Sequence, residues 1–146
     1  QRWGEGLIAI GAAYSNNQNH QEIAEQLLLK LYAFDYGNGI VLFKPTLASE
    51  QPFRKTKDSA LSYFVGDNAS FTEDQGFALQ TWKSITFTNS EILFRDALAI
   101  AMGECVLKKN QTQQTTVHYT FGYIKDDDGL IKIILHLSSI PYQNLP

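Results

Sequence analysis

The chain has 146 residues, of which 44% are hydrophobic, and a formal net charge of -3 from 12 basic and 15 acidic side chains. That length supports one core and one domain spanning 1–146, a unit that a longer chain can also carry. No basic run exceeds Lys108-Lys109, and no stretch reaches the roughly 18 apolar residues of a spanning helix, so neither a broad nucleic-acid surface nor a membrane span is expected.

The single cysteine, Cys105, excludes an internal disulfide and is expected as a small buried hydrophobe in a strand. No signal peptide is recognisable, and Gln1 in place of a methionine is what a processed or excised segment would show.

Trp3, Leu7, Ile10 and Tyr14 recur at helical spacing, and the polar run Ser15 to Asn19 breaks that pattern. A second helix is expected from His20 to Phe34, with Ile23, Leu27, Leu31 and Phe34 on one stripe. Gly37-Asn38-Gly39 ends it, and a short strand follows from Ile40 to Phe43. Lys44 to Pro52, with two prolines, reads as an ordered loop. Thr56 is placed to cap a third helix that runs to about Val65 and stops at Gly66.

After Gly76 the period changes to two. Phe77, Leu79, Ile85 and Phe87 alternate with polar residues, which predicts a long strand with a weak point in the middle. Asp96 to Leu107, Thr115 to Lys125 and Leu130 to Ser139 are the next three strands. The order predicts an α+β roll, with helices covering one face of a curved, antiparallel sheet. Such a sheet encloses a cone with an open end, a natural small-ligand site.

The last strand carries the most telling chemistry. Its side chains alternate, so His136 and Ser138 share one face while Leu135 and Leu137 point the other way. An imidazole and a hydroxyl on a buried face need partners or a ligand. His136 is therefore a candidate proton acceptor or a core histidine satisfied by a carbonyl or a tyrosine. Tyr63, near the end of the third helix, is a candidate hydroxyl donor into the cone. Pro45 fixes the backbone before Thr46 and so can hold its hydroxyl in place.

Arg54 either offers positive potential to an anion or pairs with a carboxylate. Tyr119, Phe121 and Tyr123 share one face of their strand, His118 and Thr120 the other, and either set can line the cone. Asp126, Asp127 and Asp128 are read as solvated turn residues. The three histidines lack zinc spacing, and there is neither a phosphate-binding glycine loop nor a nucleophile elbow. The expected site is uncharged, with no metal and no cofactor.

These residues sit in stretches that resemble the iota-class, metal-free carbonic anhydrases, a branch of the nuclear-transport-factor-2-like superfamily that includes calmodulin-dependent kinase association domains. The stretches are VLFKPT (Val41 to Thr46), QPFR (Gln51 to Arg54), SYFVG (Ser62 to Gly66), FTEDQGFALQTW (Phe71 to Trp82), YTFGYIKDDDG (Tyr119 to Gly129) and His136 to Pro141.

The resemblance implies a cone-shaped pocket that takes carbon dioxide or bicarbonate without a metal, with Thr46, Tyr63, His136 and Ser138 as its site residues. It further implies a homodimer, in the chloroplast for an algal chain and in the cytoplasm for a bacterial one. The family's last strand carries two adjacent histidines before two serines; here the second is Leu137, and alternation puts that change on the face opposite His136. Two other readings are a weak or inactive copy that binds a small anion or supports assembly, and a superfamily isomerase or dehydratase acting on a larger apolar substrate. The size of the pocket discriminates between them.

Overall fold

Helix α1 (Arg2–Ser15) buries Leu7 and Ile10 of the expected stripe together with Ala13, while Tyr14 is exposed. In this computed structural model, which describes residues 1–144, α1 packs on α2 (His20–Leu31), whose first turn is capped by the Asn19 side chain accepting from the Glu22 amide. Expectation placed the end of α2 at Phe34. It stops at Leu31 instead, because Tyr32 is extended and bridges to Ile133, and a 3-10 turn (Ala33–Asp35) follows. Helix α3 (Lys57–Val65) starts and ends as expected. Thr56 and Ser59 form a capping box, and Gly66 at φ 68° leads the chain away.

The sheet contains β1 (Leu42–Lys44), β2 (Ser84–Arg95), β3 (Leu98–Lys108), β4 (Gln114–Lys125) and β5 (Ile131–Ser139), in the order β1-β5-β4-β3-β2. All neighbours are antiparallel except β1 and β5. Helices against a mostly antiparallel sheet are the α+β architecture expected from the sequence.

The long strand expected from Phe77 is corrected. Phe77–Leu79 is a 3-10 turn between Gly76 (φ 74°) and Thr81 (φ 56°), and the Trp82 indole N–H donates to the Phe77 carbonyl across the break. Two separate apolar segments had mimicked one alternating run. The strand instead begins at Ser84 and continues to Arg95. Its hairpin to β3 turns through Asp96 (φ 47°) and Ala97, so Asp96 belongs to the turn.

Two register shifts bend the sheet, one in β2 between Asn89 and Glu91 and one between β4 and β5 at Gly122 and Tyr123. Gly103 lies opposite the first, where a Cβ would meet the Thr88 carbonyl oxygen at 2.1 Å. The concave face presents Cys105, Leu107, Val117, Tyr119, Phe121, His136 and Ser138 to the helices, all buried. On the convex face, cross-strand pairing aligns Met102, Thr120 and Leu137 in one row and Ile100, Gly122, Leu135 and Leu42 in the next. Leu42, Ile100, Met102 and Leu137 are exposed there.

Candidate functional site

Parallel pairing of β1 with β5 sets the site. Phe43 aligns with His136 and Lys44 with Leu137, so the chain leaving β1 through buried Pro45 carries Thr46 beside Ser138. Their hydroxyl oxygens are 2.5 Å apart. The loop after Thr46 owes its shape to charges behind it. Arg54 is fully buried, and its guanidinium donates to both oxygens of Asp74 (2.6 and 2.8 Å) and to Glu73 at 3.3 Å, with the Phe71 ring 4.3 Å from its centre.

Glu73 in turn accepts the amides of Ser49, Glu50 and Gln51. Those amides hold its carboxyl well down, at about 2. Asp74 also accepts from Ser62 on α3, the helix that carries Tyr63. Of the two readings of Arg54, the structure takes the pairing one, and Arg54 does not line the cavity.

Tyr63 stacks on Phe77 and meets Phe43 edge-on. Burial pushes its phenol pKa up, so the hydroxyl keeps its proton. His136 lies between the rings of Phe43 and Phe121, with centroids 4.7 and 4.3 Å away, and Trp3 presents its edge at 5.5 Å. The His136 Nδ1 is 2.8 Å from the Tyr32 hydroxyl, which accepts the Trp3 indole N–H at 2.8 Å.

Burial drives the His136 pKa down to about 3. An imidazole this weakly basic is neutral at neutral pH and a poor proton acceptor.

Thr46, Tyr63, His136 and Ser138 are all brought to one cavity of about 20 Å³ between the helices and the sheet. That space admits little more than one water molecule. The rest of the wall is apolar, including Phe43 and Cys105, whose thiol is pushed up to about 12 and is inert. Trp3, Phe87, Tyr119 and Phe121 separate this chamber from a wide mouth of about 580 Å³.

Tyr119, Phe121 and Tyr123 are thus the set that faces the cone, while His118 and Thr120 face outward. The Asp126 carboxylate accepts the amides of Asp128 and Leu130 and shapes its own turn. Among the described residues, no group of three or more His, Cys, Asp or Glu side chains is arranged to hold a metal ion.

Trp3 and Tyr32 are the partners that sequence reasoning missed. Both look like core residues of helices. The available signal was their polar handles, since a buried indole N–H or phenol seeks a partner.

Residues 1–140 match the family described as metal-independent carbonic anhydrase. The chain is 41% identical over 144 residues to the metal-independent carbonic anhydrase of Nostoc sp. (strain PCC 7120), covering 97% of this chain and 69% of that protein. It superposes on the crystal structure of a cyanobacterial iota-carbonic anhydrase complexed with bicarbonate with a TM-score of 0.91 and 39% identity, covering 97% of this chain and 87% of that one. More distant likeness, in fold alone, extends to a protein from Xanthomonas campestris assigned as a calcium/calmodulin-dependent protein kinase II association domain (TM-score 0.56, 23% identity, 97% and 83% covered) and to a member of the NTF2-like family from Streptomyces avermitilis (TM-score 0.51, 15% identity, 92% and 94% covered).

The depressed basicity of His136 has a measurable consequence. The unfolded chain, with an ordinary histidine pKa of about 6.5, binds more protons than the folded one at every pH between about 3 and 6.5. Stability is therefore full above pH 6.5 and falls as the pH drops through that window, by on the order of 5 kcal/mol in total. Glu73 adds its own loss only below about pH 4.5. Urea denaturation between pH 4.5 and 6.5 should show this slope in the wild type and a flatter one in His136→Gln; equal slopes would mean that folded His136 titrates normally.

Proposed function

Because the chain belongs to the metal-independent carbonic anhydrase family, we propose that its inner cavity hydrates carbon dioxide to bicarbonate, with Thr46, Tyr63, His136 and Ser138 contacting the reactants. The observation that carries the proposal is the convergence of three hydroxyls and a neutral imidazole on an apolar chamber of about 20 Å³. A chamber of that size suits a small guest better than the larger apolar substrate of an isomerase or dehydratase. It also leaves room for a small guest only if the guest takes over polar contacts already made. The Thr46–Ser138 hydrogen bond is the contact to be exchanged, since carbon dioxide and bicarbonate both offer oxygens to two hydroxyls at once.

Carbon dioxide is apolar and enters past Trp3 and the aromatic partition without a charge to desolvate. The hydroxyls hold carbon dioxide so that a water molecule arriving from the mouth side meets its carbon. As the water oxygen bonds to carbon, an electron pair moves onto a carbon dioxide oxygen, and donors already in place receive that charge. The proton released from the water passes to solvent or buffer at the mouth. No group here lowers the pKa of water as a bound cation would, so the rate rests on orientation and on hydrogen bonding to the nascent anion.

A homodimer is the second part of the proposal. The exposed Leu42, Ile100, Met102 and Leu137 lie in two adjacent rows of the convex face, interrupted by Thr120 and Gly122, and make an apolar patch of the kind that a second copy covers. Leu137, the departure from the family's paired histidines, falls on that patch and away from the cavity.

Ser138→Ala and Tyr63→Phe each remove one donor and are expected to lower kcat for carbon dioxide hydration about 100-fold without loss of fold; activity unchanged in both would remove these residues from the reaction. In sedimentation equilibrium the wild type should be dimeric and Met102→Glu monomeric, whereas a monomeric wild type would contradict the second copy.

A further inference from the structure

The chain Trp3–Tyr32–His136 carries information about direction as well as distance. An indole N–H can only donate, so the Tyr32 oxygen is the acceptor of the Trp3 bond. Tyr32 is fully buried, and burial pushes its pKa up, so it keeps its own proton. That proton needs an acceptor, and the His136 Nδ1 at 2.8 Å is the one within reach. A neutral imidazole that accepts at Nδ1 carries its hydrogen on Nε2.

The opposite tautomer would aim two N–H groups at the Tyr32 oxygen and leave its buried O–H with nothing to bind. Among the described residues, no fully buried side-chain nitrogen or oxygen lacks a partner. Among the described residues the His136 Nε2 has no hydrogen-bond partner, so it is the ring atom that opens on the cavity.

We propose that Trp3 and Tyr32 are positioning residues that lock His136 in the Nε2–H form, so that the imidazole donates a hydrogen bond to an oxygen of bound carbon dioxide or bicarbonate. The proposal rests on the carbonic anhydrase reading for the identity of the guest, though the tautomer itself does not. It turns His136 from the proton acceptor of the site into a fourth donor, beside Thr46, Tyr63 and Ser138. All four groups then offer donors to the oxygens of the guest as negative charge grows on them, and the proton must leave by another route. With its Nδ1 engaged by the Tyr32 O–H and its ring desolvated, the imidazole resists protonation by the acid that the reaction releases.

Long-range proton–nitrogen NMR of the ring, with the His136 signals assigned by their loss in His136→Gln, tests this directly. The expected pattern is Nε2–H in excess of about tenfold over Nδ1–H, unchanged from about pH 5 to about pH 8. A dominant Nδ1–H form or an imidazolium at neutral pH would overturn the assignment. In Tyr32→Phe the excess should collapse toward a mixture and kcat should fall about tenfold, with a smaller loss in Trp3→Phe; an unchanged tautomer ratio in Tyr32→Phe would show that the tyrosine is not the lock. The wild-type spectrum decides the tautomer even where a variant does not fold. A wild type with the Nε2–H pattern and no hydration activity would sink the carbonic anhydrase reading alone.

Discussion

The buried guanidinium of Arg54 is the constraint on which the site depends. It joins three segments that are distant in sequence: its own loop after β1, the Glu73–Asp74 pair, and α3 through the Ser59 carbonyl and the Ser62–Asp74 bond. Thr46 hangs from the first of these segments and Tyr63 from the third. A buried charge without its partners is strongly unfavourable, so the network is all or nothing, and it fixes these hydroxyls against β5. The charge is spent on architecture and does not face the reactants.

What faces the cavity is uncharged. Desolvation holds His136 neutral and the tyrosines protonated, and in an apolar chamber each hydrogen bond to developing charge is worth more than it would be in water. This suits a neutral substrate that becomes an anion. An anchored cation in the cavity would favour bicarbonate as much as the path toward it, and tight product binding does not speed turnover. Weak binding of both ends, with donors aimed at the charge that forms between them, is consistent with a chamber built of hydroxyls, aromatic rings and one imidazole.

Much of this was legible in the sequence. Alternation in β5 put His136 and Ser138 together and moved Leu137 to the other face, and the Thr56 cap and Gly66 bounded the helix that bears Tyr63. Other features were not legible because they depend on tertiary partners. The break at Phe77–Leu79 is made by positive φ at Gly76 and Thr81 and by an indole bond across the turn, and a period-two pattern spans it unnoticed. The end of α2 is set by Tyr32 pairing with a strand about a hundred residues later, so helical periodicity ran on past it. That same displacement carries the Tyr32 phenol to His136. The change in the histidine's role could not have been read from its ordinary pKa, because its basicity is decided by the rings of Phe43, Phe121 and Trp3 around it.

The central claim is that this uncharged chamber performs the hydration with its own side chains. The most direct measurement is the rate of carbon dioxide hydration by purified protein that has been dialysed against a chelator and shown by elemental analysis to be free of divalent metal. Hydration faster than buffer is expected to persist after stripping and not to rise when zinc is returned. A rate no faster than buffer, or one restored only by added metal, would contradict it.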